Sequence, residues 1–541
     1  MFHTALRLTG GYLGVLAIAS GVTWGSVSLH AKDTPVQLAS IWKDAALVDR
    51  VVLGDGKPAP VATDGAEVVS EKIVADGPIL GWPDLALGMS FVPGHDGVEA
   101  TLGERKVLVT PDELLSRQIY DHGLKIQTIS VALGLDTEKL FQLLADKLES
   151  NTETLREHVT LRRIRVERTR GDERPRVTGP SLGNDEVRAA IIAGAHYLAR
   201  GITPEGRFRY TVSAPTNEDM PGYDWPRHAG ATFFVAQVAG MTHDPTLVEA
   251  AKRAGMLMTA SGLSTCGTLP CVGDESRIGL GSTALAVVAL TELVDKKIEP
   301  NFAFAVVGLA KFLRSQQRPD GEFMHYYDRT TNTPVDYQGL YYSSEAALAL
   351  ARAYKVTKDP ADRDAAVRSL AYLVGPGWKF VGNRYYFGEE HWTCQAMAEL
   401  WPHSPNREAL DFCLRWHEFG RALQGHEGDS YFDSDGAVGV GPVITPRLTP
   451  VASRCEAGVA TLAVAREAGV PKDEIDRLEA QLRRSLALLV RQQLRPGPRH
   501  LFKDPAAING AMPGSEVDWE LRIDYTQHAG SAMVRWLDLQ H

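Results

Sequence analysis

The sequence predicts a mainly helical protein: a closed ring of six helix pairs over residues 185–541, preceded by a small α/β domain. Three observations predict it. First, after Asn184 the chain becomes long helical runs separated by loops. Outer runs start near Asp185, Pro245, Asn301, Ala361, Asn406 and Lys472. Inner runs follow near His228, Ser282, Tyr342, His391, Cys455 and His528, a spacing of roughly 50–70 residues within the range of repeat architectures. Second, outer runs end alike: Pro204-Glu-Gly-Arg-Phe208, Gln316-Gln-Arg-Pro-Asp-Gly-Glu-Phe323 and Gln492-Gln-Leu-Arg-Pro-Gly497. Glycine suits the left-handed turn that stops a helix, and the phenylalanine returns the loop to the core. Third, Asp224-Trp-Pro-Arg-His-Ala-Gly230 recurs as Asp524-Tyr-Thr-Gln-His-Ala-Gly530. In a closed ring the first and sixth inner helices are neighbours, so the two motifs are expected side by side. Inner runs such as Ala284–Leu290 and Ala346–Ala351 are small and apolar, as helices buried on most sides must be.

The chain opens with Arg7 and an apolar stretch from Tyr12 to about Val27, read as a signal peptide over residues 1–31 with Ala31 at the cleavage site. An uncleaved anchor, attaching the protein to the membrane through residues 7–31, is the alternative. Either way the expected location is periplasmic or secreted. Residues 32–60, rich in Ala, Asp, Pro and Gly, read as a linker. Residues 61–172 read as the small α/β domain, with strands at Leu85–Val92, Gly97–Leu102, Arg105–Thr110 and Val159–Val166 and a helix from Asp136 to Leu148. Residues 173–184 read as a second linker. Cys266 and Cys271 stand close in one loop and are expected to pair in an oxidising compartment. Cys394, Cys413 and Cys455 read as core residues on helix faces.

Composition narrows the function classes. Apolar residues make up 44%, charged residues 23%, and the net charge is −10 with no long basic run. That is a globular profile, and it argues against a nucleic-acid partner, which needs a basic face to displace counterions.

In such a ring the loops entering the inner helices line one mouth. Those loops carry Tyr223, Asp224, Trp225, Arg227 and His228; Asp274, Glu275 and Arg277; Tyr341, Tyr342 and Glu345; Glu389, Glu390, His391 and Trp392; Arg454 and Glu456; and Arg522, Asp524, Tyr525, Gln527 and His528. Carboxylates at helix starts serve as caps in any fold. Arginine and histidine there run against the helix dipole, and an anionic ligand would explain Arg227, Arg277, Arg454 and Arg522. Tyr223, Trp225, Tyr341, Tyr342, Tyr385, Tyr386, Trp392 and Tyr525 suit stacking on sugar rings, or filling of the ring centre.

With Arg227-His-Ala-Gly230, Leu340-Tyr-Tyr-Ser-Ser-Glu345 and Arg522-Ile-Asp-Tyr-Thr-Gln-His528, residues 185–541 resemble the (α/α)6 toroids, the group of six-hairpin glycosidases, polysaccharide lyases and terpenoid-cyclase-like proteins. The Asp-rich acid motif of squalene-type cyclases is missing, which disfavours terpene chemistry. The resemblance implies a carbohydrate-active protein, and with the four arginines its mouth is expected to bind an anionic polysaccharide or oligosaccharide, without a cofactor. Hydrolysis would use paired carboxylates, Asp224 with Asp524 first and Glu345 or Glu456 as alternates. β-Elimination or epimerisation would use His228, His528 or Tyr525 to move a proton, with arginine stabilising the developing charge. Arg227, Arg277, Arg454, Arg522, His391 and the aromatics would hold substrate. Two other readings stand beside these: a non-catalytic scaffold of a polysaccharide machine, and a zinc enzyme using His391, Cys394 and Cys455.

Overall fold

The computed structural model describes residues 29–54, 60–62, 65–79, 84–120, 123–126, 129–132, 134–168, 177–337, 339, 341–376, 391–430, 432–439, 445–495 and 499–540. Most of the leader, and Tyr385, Tyr386, Glu389 and Glu390, lie outside them.

The N-terminal part is an antiparallel sheet built from β1 (His30–Lys43), β2 (Ala46–Leu53), β3 (Glu67–Pro78), β4 (Asp96–Leu102), β5 (Arg105–Val109) and β6 (Thr160–Arg168), in the order β2-β1-β3-β6-β4-β5. Helices α1 (Asp84–Met89), α2 (Pro111–Ser116), α3 (Thr137–Leu148) and α4 (Thr152–His158) accompany it. Two expectations are corrected here. The stretch read as a linker over 32–60 supplies β1 and β2, because Leu38, Ala39 and Trp42 find buried places once β1 pairs with β3. A local composition rich in Ala and Asp does not reveal a partner strand that is distant in sequence. Leu85–Val92, read as a strand, is helical in its first half; a short apolar run fits either period, and burial of Leu87 decides it.

The toroid comprises inner helices α6 (Trp225–Thr242), α8 (Leu280–Asp295), α10 (Tyr342–Thr357), α12 (His391–Leu400), α14 (Leu448–Glu467) and α16 (Ile523–Asp538). Each packs on the next, and α16 packs on both α14 and α6, which closes the ring. Outer helices α5 (Asn184–Arg200), α7 (Pro245–Ala260), α9 (Ala303–Ser315), α11 (Pro360–Val374), α13 (Arg407–Ala422) and α15 (Lys472–Gln492) surround them. The connecting loops add a little strand to the helical ring. There, short ribbons such as Thr211–Ser213 with Glu520–Arg522, and Arg277–Gly279 with Tyr326–Asp328, precede inner helices.

The turns after outer helices have one physical cause. Gly206 and Gly321 sit at φ +100° and +96°, pressed against the backbone of Arg253 on α7 and Arg368 on α11, where no side chain fits. The same contact recurs at Gly436 and Gly510. Phe208 and Phe323 are buried as the motif requires.

One boundary differs in a way that matters. Helix α14 starts at Leu448, two turns before the expected Cys455, because Pro450 lies in its first turn. There a proline costs little, since its missing N–H would have no helical acceptor. The sheet docks on the toroid through Trp42 against His500, with ring centroids 5.3 Å apart, and through a 2.6 Å contact between His500 Nε2 and Asp112 Oδ2. No described helix is long and apolar enough to cross a membrane.

Candidate active site

The repeated motifs meet at the seam between α6 and α16. Asp224 caps α6 by accepting from the Arg227 amide at 2.9 Å. Its other oxygen accepts from Tyr210 Oη at 2.7 Å and pairs with the Arg227 guanidinium. Arg227 also reaches Asp524, Nε to Oδ2 at 3.2 Å, and Arg522 grips Asp524 in two-pronged fashion at 2.6 and 2.9 Å. Burial works against the Asp524 charge, but the hydrogen bonds and charge of Arg522, with Arg227, hold its carboxyl below the usual range. Two carboxylates and two guanidiniums therefore balance. The carboxylate pair expected to run hydrolysis is committed to the seam. Tyr210, which completes this cluster, was not singled out in the sequence, where no pattern marks it.

The equivalent histidines diverge. His228 is fully buried and points outward: Nε2 contacts Ala254 O on α7 at 3.0 Å, and Nδ1 accepts from Tyr223 Oη at 2.7 Å. Burial lowers its pKa to about 4 and keeps it neutral. Its expected catalytic role is corrected to a structural one. His528 points into the ring. Its Nδ1 lies 2.7 Å from Glu456 Oε2, and its imidazole stands 5.4 Å from that of His391 and 5.8 Å from the Trp392 ring. Helix α14 lies between α12 and α16 in the ring, so these side chains meet across it on the inner side. Glu456, fully buried, also accepts from Gln527 Nε2 at 3.4 Å.

On the facing wall, Glu345 is buried in the first turn of α10 beside Gly281 of α8, where a Cβ would also meet the Tyr342 ring at 2.7 Å. Burial raises the Tyr342 pKa, helped by a hydrogen bond its hydroxyl donates to Tyr326 and by the Glu345 and Asp224 charges. Tyr525 lies under Arg522, 4.6 Å from guanidinium carbon to ring centroid, and burial lifts its hydroxyl to about 12. Trp225 packs edge-on to His228 at 5.5 Å and to Tyr223 at 6.3 Å, while Tyr341 stands half-buried just before α10.

Of the four arginines, Arg227 and Arg522 are neutralised by Asp224 and Asp524. Arg454 lies two turns inside α14 and faces α13, with its guanidinium 5.8 Å from the Trp416 ring centroid. Arg277 is exposed on a strand together with the preceding Asp274 and Glu275. Ion pairing and the earlier start of α14 thus remove most of the electrostatic anomaly that suggested an anionic ligand.

The cysteines are reassigned too. Cys266 and Cys271 are bonded across a hairpin, with Cα atoms 5.9 Å apart. Cys394, expected as a core thiol or zinc ligand, is bonded to Cys413 on α13, also expected as a core thiol. Cys455 is a buried free thiol turned toward Ser485 of α15, and burial pushes its pKa up to about 12. The His391-Cys394-Cys455 zinc set is therefore overturned. His391 instead shares the ring interior with Glu456 and His528.

No protein-family model matches the chain, and no curated protein matches it in sequence. Among solved structures it is similar to a D-mannose isomerase (12% identity, 65% of this chain and 97% of that one, TM-score 0.49). It is also similar to the cellobiose 2-epimerase of Spirochaeta thermophila DSM 6192 (14%, 66% and 97%, 0.48). A third is an unsaturated glucuronyl hydrolase specific for heparin (12%, 66% and 98%, 0.46). The structures it resembles are carbohydrate-processing enzymes, and its own fold, read from the closed ring of helix contacts, is a six-hairpin (α/α)6 toroid.

Proposed function

We propose that the toroid mouth is the active site of a carbohydrate-modifying enzyme that moves a proton at a sugar carbon, an epimerisation or a related elimination. The observation that carries this reading is the His528–Glu456 contact of 2.7 Å with the His391 imidazole 5.4 Å away. Glu456 accepts the Nδ1 proton and so presents the Nε2 lone pair of His528 as a base. A second imidazole opposite can return the proton. Trp392 supplies an apolar face beside them. Hydrolysis is less well supported, because Asp224 and Asp524 share Arg227.

The finer reading keeps an exported enzyme acting on an anionic cell-envelope or extracellular chain. Its export is supported by the apolar stretch after Arg7 and by two disulfides, which persist in oxidising compartments. An anionic ligand would have to compete with Asp224 and Asp524 for Arg227 and Arg522, the guanidiniums at the seam.

The test incubates the protein in D2O with neutral and uronate-containing oligosaccharides and follows C–H signals by NMR. Deuterium should enter at one sugar carbon, and His528→Ala and His391→Ala should each slow this by about 100-fold or more, within the 10²–10⁴ supplied by general acid–base catalysis. Binding without exchange in the wild type would leave a non-catalytic scaffold as the better description.

A further inference from the structure

We infer that His391, Glu456 and His528 form a binding site for a divalent transition-metal ion, of the kind Zn2+ occupies, opening into the ring interior. The inference does not rest on the proton-transfer reading, although the residues are shared. One ring nitrogen from each histidine and one Glu456 oxygen all lie within 4.8 Å of one another. Ligand atoms around tetrahedral zinc, each about 2.0–2.2 Å from the metal, stand about 3.3 Å apart. The Glu456 Oε2 to His528 Nδ1 contact of 2.7 Å opens by about 0.6 Å when a metal replaces the proton between them, and side-chain rotations bring His391 in.

Three further features fit a cation. Glu456 is fully buried, and among the described residues its recorded ion pair is with His528 alone. A buried carboxylate without a permanently charged partner is costly, and a bound dication offsets that cost. The donors come from three consecutive inner helices, α12, α14 and α16, whose side-by-side packing brings them together. Gln395 lies one turn below His391 on the same face of α12. It is fully buried, and neither polar atom of its amide has a hydrogen-bond partner among the described residues. That amide can hold a water on the metal's fourth position. Two imidazole nitrogens and one carboxylate oxygen favour zinc-like ions over Mg2+, which prefers an all-oxygen shell.

The test uses the full chain after chelator treatment and dialysis, titrated calorimetrically with ZnCl2, with Co2+ absorption as a second readout. One Zn2+ per chain is expected, with cobalt bands of a nitrogen-ligated site. His391→Ala, Glu456→Gln and His528→Ala should each weaken binding by more than about 100-fold, beyond the 10–100-fold typical of losing an outer-shell partner. Glu456→Gln keeps the side-chain shape, so thermal melting separates loss of a ligand from loss of the fold. Cys455→Ser, and His403→Ala beyond the end of α12, where the imidazole stands edge-on to the Tyr354 ring at 5.1 Å, should bind as the wild type does. Failure to bind Zn2+, or stoichiometric binding undiminished in Glu456→Gln and His391→Ala, overturns the inference. The titration contains no sugar, so its failure would leave the deuterium-exchange result untouched, and the converse holds too.

Discussion

Arg227 of the first inner helix donates to Asp524 of the last, Nε to Oδ2 at 3.2 Å, and this contact ties the two ends of the ring together. Arg227→Ala should destabilise the protein by about 1–3 kcal/mol. That is below the roughly 3–5 kcal/mol of a fully buried pair, because the Arg227 side chain is about one-third exposed and Asp524 keeps Arg522. Urea denaturation of the two proteins measures the difference. An unchanged midpoint would show that the seam is held by packing alone.

Packing at the same seam is tested by Gly530→Ala. A Cβ there collides with the Phe234 ring of α6. Alanine gains about 1 kcal/mol of helix propensity but costs about 1–3 kcal/mol in overpacking, so a net loss in melting temperature is expected. Gly439→Ala, with no atom of the described residues within 4 Å of the added Cβ, serves as the comparison and should change little.

The sheet–toroid junction should respond to pH. Burial, and then the neighbouring Asp112 charge, push the Glu71 carboxyl up to about 7 from 4.5, despite Arg50. Between those values the folded protein holds a proton that the unfolded chain has released, so stability falls as pH rises from about 4.5 to 7. The decline should be on the order of 2–3 kcal/mol. Glu71→Gln removes it. The variant should melt higher than the wild type at pH 8 and no higher at pH 4, as followed by circular dichroism. A variant less stable at pH 8 would contradict this.

Thiol titration under denaturing, non-reducing conditions should find one free cysteine, Cys455. Breaking Cys394–Cys413, which closes a loop with a sequence separation of 19, should cost about 3 kcal/mol. Cys394→Ser with Cys413→Ser should lower the melting temperature accordingly. Three free thiols in wild-type protein from an oxidising compartment would refute the pairing.

The toroid was legible because its signals are local. A helical period, proline or asparagine at a start, and glycine before phenylalanine at a turn each act within a few residues, and six repetitions of them imply a ring. The Asp-x-x-x-His-Ala-Gly repeat even placed Asp224 and Asp524 on neighbouring helices. The β1 and β2 strands were not legible, since their pairing partners lie well away in the chain. The candidate site was half legible. His391, Glu456 and His528 were all among the candidates, but nothing local separates His528 from its counterpart His228. Both follow an aspartate by four residues and precede Ala-Gly. One turns outward to the Ala254 carbonyl and the other inward to Glu456. Likewise Cys394 and His391 are three residues apart on one helix, yet one bonds to outer helix α13 and the other faces the ring interior. The sequence by itself determined how many helix pairs the ring has and where most of them begin, because backbone period and turn geometry are properties of short segments. Only the tertiary structure decided which side chains point inward and which charges cancel, because those depend on helix rotation and on partners brought together by ring closure.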